Sequence, residues 1–147
     1  LDLGHPGRTR FLPAEPKAAL EVRFMDRFFD NYVMTPMQQV VFDSFRPEGQ
    51  HDAFGVEGAR KLLESAYAWL DGVLSGRTWA AGENFSLADC AAAPSLFYAD
   101  WVHEIGQDYP RVRAYRSRLL ERPAFARAVD EARPYRHLFP LGAPDRD

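Results

Sequence analysis

The stretch Asn84-Phe85-Ser86-Leu87-Ala88-Asp89-Cys90 constrains the fold more than any other. A serine followed three residues later by an acid is the signature of a capping box. The Ser86 hydroxyl accepts from the Asp89 N–H, and the Asp89 carboxylate reaches back to the Ser86 N–H, with Asp standing in the usual Glu or Gln place. Phe85, just before the cap, is placed to press on Cys90 as a hydrophobic staple. The following Ala91-Ala92-Ala93 is too small to face anything but a closely packed neighbouring helix. The pattern therefore predicts a buried central helix from Leu87 to about Val102, bent near Pro94 or lacking a hydrogen bond to Cys90.

Around that helix the apolar periodicity predicts at least four more. The first starts near Pro16, a residue suited to an opening helical position, and runs to about Phe45. It places Leu20, Val22, Phe24, Met25, Phe28, Phe29, Tyr32 and Val33 on an arc too wide for one neighbour. Arg23, Asp26, Arg27 and Asp30 form the polar stripe. Pro36 should kink it. A second helix, capped by Asp52, carries Ala59, Leu62, Leu63, Ala66, Trp69, Leu70, Val73 and Leu74 at spacings of three and four, and stops at Gly76. Tyr109-Pro110 opens another helix with Val112, Tyr115 and Leu119 on one face. Arg122-Pro123 starts a shorter one through about Ala132, before Pro134. No alternating run reads as a strand. The fold class is all-α, divided into a connecting segment over 1–13, a helical domain over 14–134 and a tail over 135–147.

Composition narrows the function. At 147 residues and 46% apolar content the chain can bury a core. The net charge of -3 argues against a nucleic-acid partner. No stretch approaches a membrane span, and the first residues lack a signal-peptide pattern, so the chain reads as soluble and cytoplasmic with no membrane partner. One cysteine excludes an internal disulfide, and the capping role of Ser86 outweighs the formal glycosylation sequon at Asn84. The opening Leu1-Asp2-Leu3, without an initiator Met, leads straight into a Gly/Pro turn, which suggests a preceding domain.

Chemistry is sparse. His5, His51, His103 and His137 are scattered, with no pair at ligand spacing, so no metal is expected. Dinucleotide, phosphate-loop and serine-hydrolase motifs are absent. Cys90, as staple partner, reads as an inert buried thiol rather than a nucleophile, and Asp89 as the return arm of the box rather than a catalytic acid. Met34 and Met37, near Tyr32 and the proline, either line an adaptable apolar pocket or fill an irregular gap in the core. The arginines after residue 110 read as a solvated face.

Several of these pieces together resemble one family. The loop Trp79-Ala80-Ala81-Gly82-Glu83-Asn84-Phe85 feeding Ser86-Leu87-Ala88-Asp89, then Tyr109-Pro110 and Arg122-Pro123-Ala124-Phe125, is similar to the all-helical C-terminal domain of cytosolic glutathione S-transferases. Leu1 to Pro13 resembles the linker that follows that family's thioredoxin-like N-terminal domain. The resemblance implies that glutathione is the co-substrate, held mainly by that upstream domain, which also supplies the Tyr, Ser or Cys that activates its thiol. No catalytic residue is then expected in this chain. It implies a hydrophobic pocket for an electrophile at Tyr32, Met34 and Met37, closed by Phe139. Arg27 or Asp30 would face the glutathione side or a second subunit of a homodimer. The alternative it leaves open is a non-catalytic module of the same fold that binds a protein or small ligand.

Overall fold

Three devices in the chain decide where its helices begin. The computed structural model describes Gly4, Gly7 and residues 10–147; Leu1-Asp2-Leu3 and His5 lie outside the described residues. Helix α1, Pro16–Phe28, has Pro at its first turn and is capped by the Glu15 carboxylate, which accepts from Lys17 and Ala18 N–H at 2.9 and 2.6 Å. Helix α3, Ala53–Val73, is capped by Asp52 through Gly55 N–H at 2.8 Å. Helix α4, Leu87–Val102, opens on the box between Ser86 and Asp89.

The predicted long first helix is divided. After α1 the backbone widens into a π-helical turn over Phe29–Met34, then continues as α2, Thr35–Asp43. Thr35 donates both its N–H and its hydroxyl to the Asp30 carbonyl, the hydroxyl at 2.8 Å. The wide turn explains how Pro36 is accommodated. Its ring lacks the N–H that an α-helix would need and would crowd the carbonyl four residues back, and one extra residue per turn relieves both problems. The π turn, ending at Met34 just upstream, is how the helix accommodates the proline.

The remaining elements are α5, Pro110–Leu120; α6, Pro123–Ala132; and a 3₁₀ turn over Arg133–Leu138. Among the described residues there is no strand, only an isolated bridge between Trp79 and Gly82. Gly76 and Gly82 sit at φ +71° and +126°, the conformations that end α3 and turn the chain back toward α4.

The core runs along α4. Ala88, Ala92, Leu96 and Ala99 are fully buried, and Val22, Met25, Phe29 and Val33 from the first strip pack with them. The alanines allow α1 to approach α4 closely, as their small size requires. Leu63, Tyr67 and Leu70 from α3, and Val112, Tyr115 and Leu119 from α5, close the other sides. Truncating any of these leucines to Ala costs about 2–5 kcal/mol. Backbones stay close between α1 and α4 and between α2 and α3, whereas α1 and α3 diverge.

Candidate functional site

At the centre of the bundle the Asp89 carboxylate, with no exposed surface, collects four donors. Oδ2 accepts from the Ser86 N–H at 2.8 Å and its hydroxyl at 3.1 Å. Oδ1 accepts from the Ala80 N–H at 2.9 Å and the Tyr115 hydroxyl at 2.6 Å. Burial, with the adjacent Asp89 charge, pushes the Tyr115 phenol well above its ordinary range, so it stays a donor. A carboxylate so saturated and closed to solvent is a clamp joining the α3–α4 loop, the start of α4 and α5. Phe85 lies edge-on to Trp79 at 5.1 Å and to Phe11 at 6.2 Å, with the Arg122 guanidinium over its ring at 4.0 Å.

An open, strongly apolar recess lies between α1 and α3. Phe24, Phe28, Tyr32, Leu62, Ala66 and Trp69 line about 340 Å³. Tyr32 stacks on Phe28 at 5.8 Å, and Trp69 sits 4.4 Å from Phe28 and 6.0 Å from Phe24. Phe24, Tyr32 and Trp69 are each about half exposed or close to it, at 53%, 51% and 41%. The groove is built from three parts of the wide arc seen in the sequence, but Phe24, Leu62 and Trp69 were not singled out there. Their signal was an apolar arc broader than the number of neighbours α1 and α3 share.

The predicted pocket residues do not meet. Of the four, only Tyr32 lines the groove. Met37 is buried in the core, so its core-filling reading holds, and Met34 is half-buried against that core. Phe139 stacks on Tyr98 at 6.0 Å and meets Trp101 edge-on at 5.1 Å. It roofs a different cavity of about 280 Å³ bounded by Phe97, Tyr98, Trp101 and Arg136, so it does not close over Tyr32. The tail folds back this way because it is bent by the 3₁₀ turn and then clamped by arginines, which a residue count cannot reveal. Arg27 pairs with Asp30 at 2.8 Å and with Asp26 at 3.4 Å, so the polar stripe is partly neutralised within α1 and its π turn.

Two further expectations are corrected. Cys90 is exposed, at the mouth of an apolar recess with Phe11, Phe85, Pro94 and Phe125, so Phe85 flanks the thiol without burying it. Desolvation by those walls, and then the nearby Asp89, push the thiol up while Arg122 opposes them, so it is a poor nucleophile. The arginines of α5 are only partly a solvated row: Arg111 and Arg113 are exposed, Arg116 and Arg118 half-buried, and all four are bonded. Arg111 pairs with Asp71 at 2.8 Å, Arg113 donates to the Ile105 carbonyl at 3.0 Å, Arg116 faces Asp100 at 3.3 Å, and Arg118 donates to the Thr78 carbonyl at 2.7 Å. Asp71 also accepts from the Arg111 and Val112 N–H groups at 2.7 and 3.2 Å, so an α3 side chain caps the start of α5.

At the far end, Glu64 accepts from the Tyr109 hydroxyl at 2.6 Å and contacts His103 Nε2 at 2.7 Å. These two bonds, Tyr109 first, hold the Glu64 carboxyl below the usual range, and the same contact pushes Tyr109 up to about 12. Among the described residues no three His, Cys, Asp or Glu converge in a way that could hold a metal ion. No helix among them is long and apolar enough to cross a membrane.

The described residues form a helical bundle threaded by a box-capped, alanine-rich central helix, with an open aromatic groove between its first and third helices. The sequence model of the glutathione S-transferase C-terminal domain family matches residues 33–123, more than half of the chain, and the chain belongs to that family. It is 28% identical over 116 residues to FtsZ-localized protein A of Caulobacter vibrioides, a match over 77% of this chain and 51% of that protein. A glutathione S-transferase of Methylobacillus flagellatus, solved with GSH bound, superposes with a TM-score of 0.76 at 26% identity, over 85% of this chain and 63% of that one. One from Methylobacterium radiotolerans, in complex with glutathione sulfonate, gives 0.74 at 26% identity, over 88% and 61%. The chain thus spans about half the length of the first relative and about three-fifths of these two enzymes.

Proposed function

We propose that this chain is the substrate-side helical half of a glutathione-transferase-like protein whose whole form conjugates glutathione to electrophilic apolar compounds. The observation that carries the reading is the open aromatic groove of Phe24, Phe28, Tyr32, Leu62 and Trp69, within a chain whose family relatives include proteins solved with GSH and with glutathione sulfonate. Glutathione is the co-substrate, bound mainly by a thioredoxin-like domain outside this chain that also carries the thiol-activating residue. The role of the helical half is orientation: it holds the apolar co-substrate within reach of the thiolate, which attacks the electrophilic carbon. Arg27 or Asp30, on the polar stripe of the first helix, faces the glutathione side or a second subunit. The working protein is a cytoplasmic homodimer that uses no metal. The test is to express the whole protein and assay conjugation with a panel of common electrophiles, together with retention on immobilised glutathione. Turnover and retention are expected, and their joint absence would refute the reading.

A second reading has one observation in its favour. The likeness to FtsZ-localized protein A supports a non-catalytic module of the same fold that recognises a protein. Retention of a specific protein by the whole chain, with no conjugation and no change when the groove is filled by Ala66→Phe, would favour this reading over the first.

A further inference from the structure

The chain after Leu138 returns across α4 and α5 as a strap held by charge. Arg146 donates to the Asp100 carbonyl at 2.5 Å and pairs with Glu104 at 3.2 Å, while Arg116 donates to the Arg146 carbonyl at 2.6 Å. Asp147 is gripped by Arg133, at 2.5 Å, and by Arg136. Between strap and α5 lies a polar recess of about 280 Å³ whose walls include Asp100, Glu104, Arg113, Arg116, Ser117 and Arg146.

Three arginines face three carboxylates there, Asp147 included, so the formal charges balance, but the carboxylates are engaged by partners that leave particular N–H groups over. Asp100 is committed to the Ile105 N–H at 2.8 Å and to Arg116 and Arg146 at 3.3 and 3.5 Å. Glu104 is committed to Arg146, and Asp147 to arginines outside the recess. Arg113 has no carboxylate within ion-pair distance among the described residues, and only the Ile105 carbonyl takes one of its protons. The Nε–H groups of Arg116 and Arg146 are buried without a hydrogen-bond acceptor; the 3.5 Å approach of Arg146 Nε to Asp100 is an ion pair lacking hydrogen-bond geometry. Arg113, Arg116 and Ser117 stand three and four residues apart, so they share one face of α5.

We propose that this recess takes a small oxyanion, the phosphate or carboxylate group of a ligand, and that its binding fastens the strap. Planar guanidinium groups and a hydroxyl converging from two segments match a two- or three-oxygen anion. The bound group bridges Arg113 on α5 to Arg146 on the strap, so occupancy holds Phe139 down on Tyr98 and Trp101. This site is independent of the α1–α3 groove and of the conjugation proposed for it.

The experiment titrates the protein with potassium phosphate, and separately with sodium acetate, against sodium chloride at constant ionic strength. It reads the melting temperature and amide hydrogen exchange over residues 139–147. A saturable rise in melting temperature with slowed exchange in the strap is expected. Phosphate alone acting identifies a phosphate ligand, and acetate acting as well identifies carboxylate as sufficient. Arg113→Gln should raise the half-saturating concentration about tenfold, the loss of one charge-assisted contact, beyond the constant lowering of the melt in chloride that comes from losing its bond to the Ile105 carbonyl. Ser117→Ala, conservative on an exposed position, should weaken binding less. No saturable effect of either anion, or an undiminished effect in Arg113→Gln, overturns the proposal.

Discussion

Replacing Asp89 by Asn tests the central clamp with the smallest change of shape. The carboxylate accepts four donors, two at each oxygen. An amide keeps one oxygen and presents an NH2 where the other stood, so two of the four donors lose their acceptor and meet a donor instead. A buried donor left unsatisfied costs about 1–3 kcal/mol, so Asp89→Asn should cost about 2–6 kcal/mol. Against a total stability of about 5–15 kcal/mol this is a large fraction, and for a chain of this length it lowers the melting temperature by about 4–24 °C. Tyr115→Phe removes one donor and leaves three, costing about 1.5–3 kcal/mol as a bond to a charged group. Because both act on one carboxylate, the double variant should lose less than the sum of the single losses. The assay is thermal and urea unfolding followed by circular dichroism for the wild type, both single variants and the double. An Asp89→Asn melt within about 2 °C of wild type, below the least shift this reasoning allows, would refute the clamp.

Trp69→Ala should raise the half-saturating concentration of an apolar co-substrate about tenfold while costing about 1 kcal/mol of stability; equal affinities by fluorescence titration would remove the groove from the site. Cys90 should react with iodoacetamide more slowly than a free cysteine at neutral pH, with a rate still climbing past pH 9.0, its ordinary value; a plateau near neutrality, read by mass spectrometry, would contradict the raised pKa. Glu64 has a lowered folded pKa, so its contribution is complete above the unfolded value of 4.5 and is lost as the pH falls through the lower folded one. Tyr109→Phe, which removes the larger cause, should flatten that acid limb, and superimposable limbs would count against it.

Elements announced by local chemistry were legible in the sequence. The box at Ser86 and Asp89, the Asp52 cap and the prolines that open α1, α5 and α6 act within a few residues, and the structure places helix starts at each. What escaped depends on partners far along the chain. The reach of Tyr115 to Asp89 spans 26 residues, that of Arg111 to Asp71 spans 40, and that of Arg146 to Asp100 spans 46. No spacing rule encodes such distances, so arginines that looked solvated turned out to be internal ties. Of the groove, Tyr32 alone was picked out in advance. Tyr32 follows from the breadth of the apolar arc, but Met37 faces the core because the π turn shifts the phase of everything after Phe29, and an ideal helical wheel carries no such shift.

That π turn gives the chain a division of labour. One residue more than an α-helical turn lies between two halves of a single helix, so α1 can follow α4 while α2 follows α3, and the aromatic groove opens in the angle between α1 and α3. The position of the groove is therefore set by backbone length and its lining by side chains. Exchanging Phe24, Tyr32 or Trp69 changes the lining of the groove and leaves the helices in place, whereas losing a single residue between Phe29 and Met34, with Pro36 replaced, would rotate the faces of α2 against those of α1.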